Sequence, residues 1–149
     1  MKTTALIAAA LLAGAVPALA AEDPIAVRQT LMESMGGAAG LTAGVLKGEI
    51  DYSPAIGKAA ITATAGVAEA YADYFPEGSD TGGNTEASPK IWEDPAGFAE
   101  QISKLQAATA GAVSASGKSG PADAEAFKAA MQPVLATCKS CHETYRLDD

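Results

Sequence analysis

The residues best equipped for chemistry stand together at Cys138-Lys139-Ser140-Cys141-His142. Two thiols three residues apart on a helix can each add to a vinyl group of one haem. The histidine directly after the second thiol then lies under the iron as its proximal ligand. C-x-x-C-H is therefore read as a c-type haem attachment site. His142 is the only histidine in the chain, and Cys138 and Cys141 are its only cysteines, so nothing is left over to complete a rival site. A structural zinc needs four nitrogen or sulfur ligands, and the chain offers three within five positions. A thioredoxin-type dithiol opens a helix in a βαβ setting, and no strand pattern precedes this one. A local disulfide followed by an incidental histidine is the remaining rival. The expectation is one covalent haem c, attached at Cys138 and Cys141, with His142 on the iron.

The residue on the other side of the iron decides what such a haem does. A second histidine is absent, and both thiols are used, so methionine or nothing remains. Met131 lies on the helix of the attachment motif, seven residues before Cys138, and is assigned to the core. Met32 and Met35 lie on the first helix, whose inward stripe can face the haem from the opposite side. Arg28, one turn before Met32, suits a haem propionate through paired charge-assisted hydrogen bonds.

These residues need helices to position them. The segment 1–20 reads as a cleaved signal peptide: Met1-Lys2, an apolar run from Ala5 to Val16, then Ala18-Leu19-Ala20. The run is too short for a membrane span. One domain, 21–149, follows, and a periplasmic location is expected. Thiols consumed as thioethers fit an oxidising compartment. Without Lys2 the balance is nine basic residues against eighteen acidic ones, a formal −9. Nucleic acid and anionic membranes are poor partners for that surface.

The first helix is expected from about Pro24 to Lys47, on the stripe Arg28, Met32, Met35, Ala39, Thr42 and Leu46. Ser53-Pro54 opens a second helix that runs to about Tyr74. A glycine- and proline-rich loop fills 75–89. A third helix is expected over 90–115 and a fourth over 122–146, with Pro133 inside it. Four such helices and no strand predict an all-α, antiparallel up-down-up-down four-helix bundle. Gly36, Gly37 and Gly40 weaken the first helix by about 2–3 kcal/mol in all. Small residues there let another backbone, or a flat macrocycle, come close.

With these motifs in view, the chain resembles the class II c-type cytochromes, the family of cytochrome c prime and its low-spin relatives. The matching pieces are Arg28-Gln29-x-x-Met32 with Gly36-Gly37, Lys47-Gly48-Glu49 with Tyr52, and Phe75-Pro76. Pro89-x-Ile91-Trp92-x-Asp94 with Phe98 follows, then Cys138-x-x-Cys141-His142-x-x-Tyr145-Arg146. The resemblance implies a bundle that is often a homodimer, with haem between the helices. It assigns Arg28 and Gln29 to propionate-binding positions, Glu86 to an acidic position at the haem edge, and Arg146 to the side of the proximal histidine. Met32 falls on the distal position, which in typical cytochrome c prime is apolar or aromatic and leaves the iron five-coordinate. In the low-spin branch it is an iron-binding methionine. Ser88–Trp92 and Lys128–Pro133 look closer to that branch.

The resulting expectation is a periplasmic electron carrier with His142/Met32 ligation and a redox partner protein that the sequence does not identify. The rival is a five-coordinate protein of the cytochrome c prime kind that takes nitric oxide or carbon monoxide. An enzyme is not expected, since no second histidine or metal cluster is available for substrate chemistry.

Overall fold

The structure, a computed structural model, describes residues 23–147. The signal peptide expected over 1–20 lies outside the described residues. Helix α1 (Pro24–Leu46) begins where the Asp23 carboxylate accepts the Ile25 amide at 2.9 Å, with proline at the first helical position. Helix α2 (Pro54–Ala70) is opened in the same way by Ser53, whose hydroxyl accepts the Ile56 amide at 3.3 Å. A 3₁₀ turn, Tyr71–Tyr74, carries it to the long loop.

The helix expected over 90–115 is two helices, α3 (Lys90–Glu93) and α4 (Pro95–Ser116). Asp94 leaves the helical region at φ −132° and ψ 64°, and its carboxylate accepts the Gly97 amide at 3.1 Å. Asp94-Pro95 is thus a helix start. The apolar spacing of Ile91, Trp92, Phe98 and Ile102 hides it by running on across the break. Helix α5 (Ala124–Tyr145) starts on the Asp123 carboxylate and holds Pro133 without interruption.

Helices α1, α2, α4 and α5 form the antiparallel up-down-up-down four-helix bundle. Each packs on the next in chain order, and α1 meets α5 to close the ring. No strand occurs among the described residues, only an isolated bridge between Ala87 and Arg146. Among them, no helix is long and apolar enough to cross a membrane.

Ile61, Phe127, Met131 and Val134 fill the centre, so Met131 is a core residue. The stripe expected on α1 does not stay inward. Leu46, at its end, is 39% exposed, while Ala38 and Val45 are buried. The five intervals sum to eighteen residues, five full turns of a straight helix, so the exposure of Leu46 comes at the helix end and not from drift of the stripe. A side chain at Gly36, Gly37 or Gly40 would meet nothing within 4 Å, so no other described segment of this chain approaches them. The tight approach is at Gly44, where an added Cβ would sit 2.6 Å from Ile50 Cδ1.

Candidate haem site

The i, i+3 spacing on α5 turns Cys138 and Cys141 to one side of the helix. Both are free thiols, each partly buried, and both line a cavity of about 610 Å³. The opposite wall is α1, through Arg28, Met32, Met35, Gly36 and Ala39. Tyr71 lies at the end of α2, and Phe98, Ile102 and Leu105 come from α4. The loop segment 84–87 closes the side near His142 and Arg146.

Burial pushes the Cys138 thiol up, and pushes Cys141 up to about 11, with Cys138 adding to the effect. His142 is largely exposed, at the rim. Its imidazole is nevertheless held below the usual histidine range, first by desolvation at the cavity wall and then by Arg146, with Glu86 opposing. The neutral imidazole is the form that ligates metal. Two thiols on one face, a neutral imidazole next to them and a mostly apolar cavity of cofactor size fit a haem.

Met32 and Met35 both line the cavity, Met35 buried and Met32 partly so. Arg28 is 3% exposed and also lines the cavity, but its terminal nitrogens are engaged by the chain. One donates to Tyr74 O at 2.7 Å and Ser79 Oγ at 2.8 Å. The other donates to Ser79 O at 2.7 Å and Thr85 Oγ1 at 3.3 Å. The guanidinium also stacks on Phe75, 4.7 Å from the ring centre. Gln29 donates to Gly83 O at 2.9 Å and Asn84 O at 3.2 Å. Glu86 pairs with Arg146 at 3.0 Å.

Two residues of the site had no assigned role from the sequence. Tyr71 is a partly buried phenol pushed up to about 12, by desolvation first and Cys141 second, with Arg28 opposing. It opens an aromatic wall that runs to Phe75 at 5.0 Å, to Phe98 at 4.7 Å and on to Tyr145 at 5.4 Å. Ser79 is a buried serine within the loop, and nothing in the sequence around it signals that burial.

The family model for cytochrome c' matches residues 23–146. Cytochrome c' of Rhodopseudomonas palustris is 39% identical over 142 residues, covering 95% of this chain and 94% of that protein. The chain belongs to the cytochrome c' family. A cytochrome c-556 of Agrobacterium tumefaciens is 42% identical over 120 residues, covering 80% of this chain and 93% of its own. A solved cytochrome c' from Rhodopseudomonas palustris superposes with a TM-score of 0.76 at 38% identity, covering 85% of this chain and 98% of that one. A nitric oxide complex of a mutant cytochrome c prime from Alcaligenes xylosoxidans superposes at 0.72 and 28% identity, over 85% and 96%. The family is that of proteins with one covalent c-type haem, which agrees with the attachment motif. Relatives named cytochrome c' and cytochrome c-556 match at similar identity, so membership does not support the methionine-ligated branch over the family at large.

Proposed function

We propose that the chain is an exported, periplasmic haem redox protein that holds one haem c through Cys138 and Cys141, with His142 on the iron and the opposite face open to a diatomic gas. The observation that carries this is the convergence of both thiols and His142 on one cavity whose far wall is α1. When bound, the haem supplies a one-electron couple and a coordination site for a small ligand. The two thiols would fix its orientation, and the neutral His142 would ligate the iron. Met35, Phe98, Ile102 and Leu105 would give it apolar surroundings, and Met32 would serve as steric cover on the α1 side. Membership of the cytochrome c' family supports the open face, as does the relative solved with nitric oxide.

One observation favours the second reading, an electron carrier with Met32 on the iron: Met32 lines the cavity opposite His142's helix, and a thioether there has no other polar task. Optical and electron-paramagnetic spectra of both oxidation states, with a carbon monoxide titration, separate the two. An open face gives a high-spin ferrous protein that takes up the gas quickly. Low-spin spectra in both states and slow uptake make Met32 the ligand. In that case Met32→Ala becomes high-spin while Met35→Ala does not.

A further inference from the structure

We propose that Arg28 is a positioning residue that latches the 75–89 loop in place as a wall of the cavity, a role distinct from pairing with a haem carboxylate. The loop has no strand and no helix to hold it, yet residues 84–87 line the cavity. Its backbone must be fixed by something outside itself. Arg28 does this from α1 at three points spread along the loop: its entry at Tyr74, its buried middle at Ser79, and Thr85 next to the cavity. Thr85 passes the restraint on, since its hydroxyl accepts the Ala87 amide at 3.2 Å. Ala87 in turn bridges to Arg146 at the end of α5.

The chemistry suits a latch. All the acceptors are neutral oxygens, and no carboxylate of the described residues lies within ion-pair distance of Arg28. Burying a cation without a counter-charge is unfavourable, and here four hydrogen bonds and the Phe75 face offset it. A planar fork reaches acceptors on both terminal nitrogens at once. An ammonium, as a point charge, cannot span them. The inference goes beyond the haem reading and holds whichever group faces the iron.

The test uses the haem-loaded protein and amide hydrogen exchange. In Arg28→Lys the charge stays and the fork is lost; the amides of Ser79, Thr85 and Ala87 should then exchange at least tenfold faster, with those of α2 unchanged. Ser79→Ala, which removes one latch acceptor and touches no haem group, should accelerate the same amides by a smaller factor. Adding Ser79→Ala to Arg28→Lys should accelerate them by less than Ser79→Ala does in the parent, because the Arg28–Ser79 contact is already lost and only the Ser79 Oγ–Pro76 O bond remains to remove. Loop protection that survives Arg28→Lys would overturn the latch, as would full additivity of the two substitutions. A change confined to the pH dependence of the haem potential would return Arg28 to the propionate role.

Discussion

The two ends of the bundle are built differently. At one end, short links at 47–53 and 117–123 bring together the close of α1, the start of α2, the close of α4 and the start of α5. Tyr52 lies on Phe127 at 5.6 Å between ring centres and donates its hydroxyl to Pro121 O at 2.5 Å. Phe127 is wholly buried. This end is finished by side chains alone. At the other end the helices part around the cavity, and a fifteen-residue loop spans the gap between Tyr74 and Lys90. Hydrogen bonds from Arg28 and Gln29, the Glu86–Arg146 pair and backbone bonds to the end of α5 hold that loop, and Phe75 and Ala87 pack on a small cluster with Phe98 and Tyr145. The closed end is therefore held mainly by apolar burial, and the open end adds polar restraints to a smaller apolar cluster.

Substitutions that act on one end and spare the other put this contrast at risk. The largest effect is expected from Cys138→Ala with Cys141→Ala, which should abolish haem retention on a denaturing gel stained for peroxidase activity. The variant should keep a helical circular dichroism spectrum, because the closed end does not need the cofactor. Loss of helical signal there would mean that the two ends are not independent. Phe127→Ala should lower unfolding free energy by about 3–5 kcal/mol in a denaturant titration, through the cavity it leaves, while the haem spectrum stays as in the parent. Tyr52→Phe strands Pro121 O and should cost about 1 kcal/mol in the same titration, again without a spectral change. Smallest of all is Glu86→Gln. The Glu86–Arg146 pair is 62% and 39% exposed on its two sides, so its loss should cost below about 1 kcal/mol. A larger loss would show that the open end is held by ion pairing as well.

The closed end was mostly open to sequence reasoning, since burial on helices leaves a period to read. Ser53-Pro54 marks its helix start, and Phe127, Met131 and Val134 fall at helical spacing. The Asp94-Pro95 start was legible too, but the apolar residues on either side of it keep helical intervals and argue for one continuous helix. The attachment motif could be read because covalent chemistry demands adjacent residues in fixed order. Arg28 could be placed at the cavity but not aimed. Which acceptors its fork reaches depends on where a loop without periodicity comes to rest, and Ser79 is invisible for the same reason. The three exposed glycines of α1 were open to two explanations, and the empty space around them removes packing within this chain from the choice.

The order of the chain sets an order in time. The α1 wall of the cavity, with Arg28 and Met32, is synthesised before Cys138 and Cys141. Phe127 precedes both thiols on α5, so every element of the closed end exists before the attachment motif does. The two sides of the cavity are joined only when α5 packs on α1, the contact that closes the ring. Until that contact forms the cavity lacks one of its walls, and a large rigid guest can enter from that side.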